Sequence, residues 1–334
     1  MMGVTSEAAA SGAPPEVEQE TGAGSSGEAG RPLPVIVGIV GDSGSGKTTI
    51  SNGVRALIGP DQVTDVKLDD YHRYTRAERA EKGLTALNPQ VHNLELVAEH
   101  LRLLRRGRPI RNRSYDHSNG TFGPMRTVEP KEVVLVRGLL GFPSDELRAL
   151  YDLAVFLWPE PDLLFRWKLR RDVHSRGYTE AEVLKTIAQH LLDAKEFVLP
   201  QAERADLVVR YEIADPDAPD SEVRTTLILR RRAMEALQGA IRSLDRFGDQ
   251  IRSEQRDGEL VLELSPDLSQ HEVDAWAMER FPETYVPGGQ AGRYLDEHGG
   301  RSYRVQLAFI EVLIARLTQK LRRTEAPQEQ PARA

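Results

Sequence analysis

The chain has 334 residues, enough for one large α/β domain or two smaller ones. A hydrophobic fraction of 40% and a charged fraction of 28% are ordinary for a soluble globular protein, and a net charge of −7 gives no general attraction to nucleic acid or anionic membranes. The lack of cysteine excludes disulfides and thiolate metal sites and fits a reducing cytoplasm; no apolar run approaches the roughly 20 residues of a membrane helix, and no signal-peptide pattern opens the chain.

Residues 1–32 are rich in Gly, Ala, Ser, Glu and Pro and read as a disordered tail, too poor in apolar side chains to offset its ordering entropy. Order begins at Pro34. Val35–Val40 is a β-branched apolar run and predicts a buried parallel strand, with a helix following from Thr48 to about Ile58. A second strand ends near Lys67-Leu68. Leu94–Arg106 predicts an amphipathic helix with Leu94, Val97, Leu101 and Leu104 on one face. Val133–Val136, Ala154–Leu157 and Asp206–Arg210 predict further strands, with helices at about 160–177 and 179–195. Strands alternating with helices argue for an α/β fold, a doubly wound and mainly parallel sheet of the P-loop type over residues 33–213.

Beyond Glu212 the pattern shifts to an α+β extension over residues 214–322, either continuing the sheet or forming a subdomain. Thr225–Leu229 and Glu259–Leu264 read as strands; Arg230 to about Arg246, His271–Phe281 and Ser302 to about Arg322 read as helices. Residues 323–334 read as a frayed tail.

Gly41-Asp42-Ser43-Gly44-Ser45-Gly46-Lys47-Thr48 fits G-x-x-x-x-G-K-[ST] between a predicted strand and helix. Glycines let the backbone wrap phosphate oxygens, and the loop amides and helix N-terminus attract the anion. Gly41, Ser43, Gly44, Ser45, Gly46, Lys47, Thr48 and Thr49 are the expected nucleotide contacts. Lys47 would reach the β- and γ-phosphates and the Thr48 hydroxyl would ligate Mg²⁺. A chance Gly/Ser-rich turn would not also sit between that strand and that helix.

Asp69 and Asp70 follow the second strand, where open α/β sheets bind ligands. One could accept a proton from an acceptor hydroxyl; one could instead cap the helix containing Arg76–Glu81. His72 reads equally as structural, and Arg73 and Arg76 as solvated or anion-binding. Lys168, Arg171, Asp172 and Arg176 share one helical face, which reads either as a solvated charged face or as a lid closing cations over phosphates.

Together these residues resemble phosphoribulokinase, within the wider phosphoribulokinase and uridine kinase group, and most nearly its plant, cyanobacterial and archaeal type. The resemblance covers about residues 34–322. It rests on Leu68–His72, Lys82–Pro89, Tyr115-Asp116-His117 with Gly120, Trp167–Asp172 with Arg176-Gly177, and the strands Val223–Ile228 and Val261–Leu264. It implies ATP and Mg²⁺ as cofactors and a sugar-phosphate substrate, D-ribulose 5-phosphate, converted to ribulose 1,5-bisphosphate. It implies Asp69 as general base, with Lys47, Lys168 and Asp172 in the catalytic set. His72, Arg73, Arg76, Tyr115, His117, Lys168, Arg171 and Arg176 would bind the acceptor. Thr48 and Asp172 would hold the metal. A homodimer or larger homo-oligomer is implied too, with no nucleic-acid or membrane partner. Alternatives are a kinase of the same fold for another sugar phosphate or a nucleoside, and a non-catalytic nucleotide-binding regulator.

Two departures from the family pattern stand out. Arg137 occupies the position of an acidic residue at the end of the third strand, so Mg²⁺ is either displaced or left to Thr48 and Asp172 while Arg137 contacts phosphate. The lack of cysteine removes the thiol regulation of the plant type.

Overall fold

The computed structural model describes residues 32–213, 215, 218–237, 241–296 and 300–324, so both predicted tails lie almost wholly outside the described residues. The first strand, β1 (Val35–Gly41), is buried on both faces and runs through the phosphate loop into α1 (Lys47–Ile58). β2 (Val63–Lys67) ends in a 3₁₀ turn, Leu68–Tyr71, that holds both aspartates. Thr75 and Glu78 then form a reciprocal capping box that starts α2 (Arg76–Glu81). Neither Asp69 nor Asp70 caps this helix, because Thr75 does. Asn93 caps α3 (Leu94–Arg105), which buries Val97, Leu101 and Leu104 as its spacing predicts.

β3 (Ile110–Asp116) and β4 (Thr121–Val128) pair as a separate antiparallel hairpin. β5 (Val133–Gly138), the short α4 (Asp145–Arg148) and β6 (Leu153–Pro159) lead to α5 (Pro161–Arg176). Gly177, at φ +73°, ends α5 in the left-handed region open to glycine, and a Thr179–Glu182 capping box starts α6 (Glu180–Asp193). β7 (Leu207–Glu212), β8 (Arg224–Leu229), α7 (Arg231–Leu237), β9 (Ile251–Arg256) and β10 (Glu259–Leu264) follow. The chain closes with α8 (Gln270–Arg280), the paired β11 (Arg293–Leu295) and β12 (Arg301–Tyr303), and α9 (Val305–Thr324).

Among the described residues, eight strands form one sheet in the order β2-β5-β1-β6-β7-β8-β10-β9. The first five are parallel; β8, β10 and β9 add antiparallel at the β7 edge. The C-terminal part therefore continues the sheet. One face packs α1 and α9, with Val54, Leu57, Phe309, Ile310 and Leu313 nearly inaccessible; the other packs α3, with Val97 and Leu101 against Val134 and Val136. Each such buried side chain contributes roughly 1.5–3 kcal/mol. α9 lies against α1, α7, α8 and β1, so the extension braces the helix that follows the phosphate loop.

Two predicted helices differ. Residues 238–240 lie outside the described residues. The helix expected over Arg230–Arg246 is seen only to Leu237, and from Ile241 the chain winds as 3₁₀ turns broken at Gly248, φ +51°. The helix expected from Ser302 starts at Val305, because Ser302 and Tyr303 pair in β12.

Candidate active site

The phosphate loop, the acid turn after β2, the C-terminal end of β5 and the helix α5 meet around one cavity of about 1110 Å³. This is the crevice outside the carboxyl ends of the parallel strands, where β5 and β6 flank β1. Ser43–Thr49 form one wall. Gly46 sits at φ +92° as the residue before α1, and no atom lies within 4 Å of where a Cβ would stand. Only glycine adopts this conformation cheaply, and the open space above it suits a phosphate. Lys47 Nζ donates to the carbonyls of Gly41 at 2.9 Å and Asp42 at 2.6 Å. Burial lowers its pKa to about 8, the nearby Arg171 and Arg137 pushing the same way against Asp42 and Asp69.

Asp69 and Asp70 divide their roles. Asp70 is buried and accepts from the Tyr115 amide at 2.8 Å and from Arg126 at 3.0 Å, tying the β3–β4 hairpin to the acid turn. Asp69 faces the cavity, with His117 Nε2 at 3.2 Å and His72 Nε2 at 3.9 Å. Burial alone would raise its pKa; the hydrogen bond from His117 and the charges of the histidines and Lys47 outweigh that and hold it well below the usual carboxylate range. His72 is itself lowered to about 3, chiefly by burial, so at neutral pH it is uncharged and the hold on Asp69 falls to His117 and Lys47.

The acceptor side of the cavity carries cations on α2. Arg76 donates to the His117 carbonyl, and its amide bonds the Gly120 carbonyl at 2.8 Å. Gly120 lies at φ +75°, and a Cβ there would come 2.5 Å from Arg76 Cβ, so the hairpin turn sets this arginine's position only as glycine. Arg79, which sequence reasoning missed, is buried in the cavity wall. It donates to Tyr115 Oη at 3.0 Å and to neutral His72 Nδ1 at 3.2 Å. Its spacing of three residues from Arg76 was the available signal. Tyr115 and His117 line the cavity as expected. Arg73 does not: its guanidinium turns to Glu95 on α3 and the His92 carbonyl, each at 3.3 Å.

Over the phosphate loop lies α5. Lys168 and Asp172 are buried, so this face of the helix is not a solvated one. Lys168 Nζ donates to His190 Nδ1 at 3.2 Å; burial, then the charge of Lys168, lowers His190 to about 3 and keeps it a neutral acceptor. Arg171 reaches the phosphate loop at Ser43 Oγ, 3.1 Å, and bonds Asp172 at 2.8 Å. The opposite face is anchored by Asp220, which accepts from Arg166 at 2.9 Å and Arg170 at 2.5 Å. The side chain of Arg176 lies outside the described residues.

The expected metal donors do not fit a resident divalent ion. Arg137 Nη1 donates to Thr48 Oγ1 at 2.9 Å, while its Nε and Nη2 bond both oxygens of Asp65 at 3.0 Å each. A divalent ion about 2.1 Å from Thr48 Oγ1 would lie no more than about 5 Å from that guanidinium nitrogen. The repulsion is about 7 kcal/mol at an effective dielectric of 20, and Asp65, on the opposite edge of the guanidinium, offsets only part of it. Asp172 already accepts from Arg171. Among the described residues no group of three or more His, Asp or Glu gathers to hold a metal.

The model of the phosphoribulokinase / uridine kinase family matches residues 36–214. The chain is 35% identical over 176 residues to a phosphoribulokinase from Synechocystis sp., covering 53% of each. It is 30% identical over 205 residues to a uridine kinase from Lactiplantibacillus plantarum, covering 58% of this chain and 92% of that one. The chain spans about half the length of the curated phosphoribulokinases it matches. The solved phosphoribulokinase from Rhodobacter spheroides shares the fold, with a TM-score of 0.57 at 18% identity, covering 86% of this chain and 99% of that one. With a family match over more than half of its length and the fold to accompany it, the chain belongs to the phosphoribulokinase and uridine kinase family.

Proposed function

We propose that this chain transfers the γ-phosphoryl group of ATP to a hydroxyl of a sugar phosphate, with D-ribulose 5-phosphate as the acceptor and ribulose 1,5-bisphosphate as the product. The observation that carries the reading is the placement of Asp69 opposite the phosphate loop, between Lys47 on one side and His72 and His117 on the other. Residues 33–213 would carry the chemistry, and 214–322 would brace α1 and anchor α5.

The acceptor hydroxyl lies against Asp69. Its oxygen attacks the γ-phosphorus in line, the bridging bond from the β-phosphate oxygen to that phosphorus breaks, and the electron pair leaves on ADP. The hydroxyl proton passes to Asp69. A carboxylate this acidic takes the proton only as the new P–O bond forms, which suits the loose transition state of phosphoryl transfer. Lys47 and Arg171 face the phosphate loop and stabilise the negative charge on the transferring group, and the closed α5 excludes water. Mg²⁺ would enter, where it does, with ATP as part of the substrate rather than as an ion held by the protein.

Arg76, Arg79 and Lys168 around the cavity favour an acceptor that already carries phosphate over an uncharged nucleoside. The reading also takes the protein to be cytoplasmic and a homodimer or larger, which analytical ultracentrifugation checks. An acceptor panel of pentose phosphates, hexose phosphates and uridine, with products identified by mass, tests the assignment. Ribulose 5-phosphate is expected to be the best acceptor; a preference for uridine would overturn it.

A further inference from the structure

Arg137 is a residue of this site that the chemistry above does not use. It is the last residue but one of β5, beside Ile39 of β1 and Lys67 of β2, and it forms part of the cavity wall. Three of its five N–H bonds are spent on Asp65 and Thr48. The bidentate grip of Asp65 fixes the plane of the guanidinium, which is the geometry in which arginine binds oxyanions best. Thr48 Oγ1 accepts from Arg137, so its own O–H proton is left to donate. That O–H can donate to phosphate, while the guanidinium charge on the same oxygen disfavours a metal ion there. Arg137 and Arg171 each stand close enough to Lys47 for their charges to act on it. Three cations and a hydroxyl donor thus converge on the place where the loop would hold β- and γ-phosphates.

We propose that Arg137 is the built-in cation of the nucleotide site. Held by Asp65, it supplies at Thr48 the positive charge that a protein-held divalent ion would otherwise supply, so the triphosphate binds without metal. The inference rests on the reading that the phosphate loop takes ATP. It goes further by assigning Arg137 to phosphate contact and Asp65 to positioning it. It also removes Thr48 from metal ligation.

Equilibrium titration of the full chain with ATP, once in EDTA and once in Mg²⁺, tests this without any variant. The expected result is a metal-free Kd within about tenfold of the Mg²⁺ value. Arg137→Gln should weaken metal-free binding at least tenfold and so widen the gap between the EDTA and Mg²⁺ values, with circular dichroism confirming the fold. Asp65→Asn should weaken metal-free binding in the same direction by less. Arg137→Glu, which places two carboxylates beside Thr48, should make binding depend on Mg²⁺ by more than a hundredfold. A wild-type Kd more than a hundredfold weaker in EDTA overturns the proposal while leaving the kinase reading intact. So does an Arg137→Gln protein with an unchanged ratio. Absence of ATP binding in both buffers overturns the nucleotide reading itself, and the proposal with it.

Discussion

Replacing Asp69 by Asn removes one negative charge and the proton-accepting oxygen pair while keeping the size of the side chain. The amide oxygen can still accept from His117 Nε2, now 3.2 Å from the carboxylate, so the acid turn and the hairpin behind it should hold. Asp70, which makes the structural bonds to Tyr115 and Arg126, is untouched. Lys47 loses a favourable negative neighbour, but ATP loses an unfavourable one, so the Kd for ATP should stay the same or tighten. The chemical step loses its base. General-base catalysis contributes about 10²- to 10⁴-fold, equivalent to roughly 3–5.5 kcal/mol of transition-state stabilisation. Steady-state kinetics should therefore show kcat down by that factor with melting temperature and ATP affinity preserved. Turnover within a few-fold of wild type would remove Asp69 from the mechanism. A parallel collapse of ATP binding would show that its role is structural.

Two further predictions follow from the charges around the phosphate loop and α5. Lys47 has its pKa lowered to about 8, so it is protonated below that pH and neutral above it; ATP affinity should be flat below pH 8 and fall up to tenfold per unit above it, and Lys47→Met should abolish the slope in a fluorescence titration. Asp220→Ala leaves Arg166 and Arg170, both largely buried, without their shared carboxylate; urea denaturation should show a loss of about 3–5 kcal/mol, and KM for both substrates should rise as α5 loosens.

The parts of this molecule that the sequence exposed are those whose physics is local. The buried parallel strands are continuous apolar runs because both faces are covered, and β1 and β5 show it. The phosphate loop is legible because glycines at fixed spacing between a strand and a helix have few other uses. The β3–β4 hairpin enters the sequence reading only through the Tyr115-Asp116-His117 and Gly120 motif. Most of β4 is exposed, with Gly123 and Pro124 in its middle, and such a strand shows no alternation of apolar and polar positions. β9, solvent-facing except at Ile251, escaped for the same reason.

At the site, Lys47 is legible from its motif; Asp69, Lys168, Arg171 and Asp172 stand out by position and spacing but take their roles from the family resemblance, and the fold brings all five to one cavity. The pairings among them are tertiary and could not be read. Asp65 meets Arg137 only because β2 and β5 are neighbours in the sheet, 72 residues apart in sequence. His190 meets Lys168 only because α6 folds back on α5. Arg73 and Arg76 look alike in sequence, yet the capping box at Thr75 starts α2 between them and turns one toward α3 and the other toward the hairpin.

The most direct test of the account is label transfer: purified protein incubated with ATP carrying a radiolabelled γ-phosphate, with and without D-ribulose 5-phosphate, and the label followed by chromatography. The account predicts that the label moves to ribulose 1,5-bisphosphate in proportion to protein and that Asp69→Asn abolishes most of the transfer. Label that stays on ATP, or is released only as inorganic phosphate whether or not the sugar phosphate is present, would contradict it.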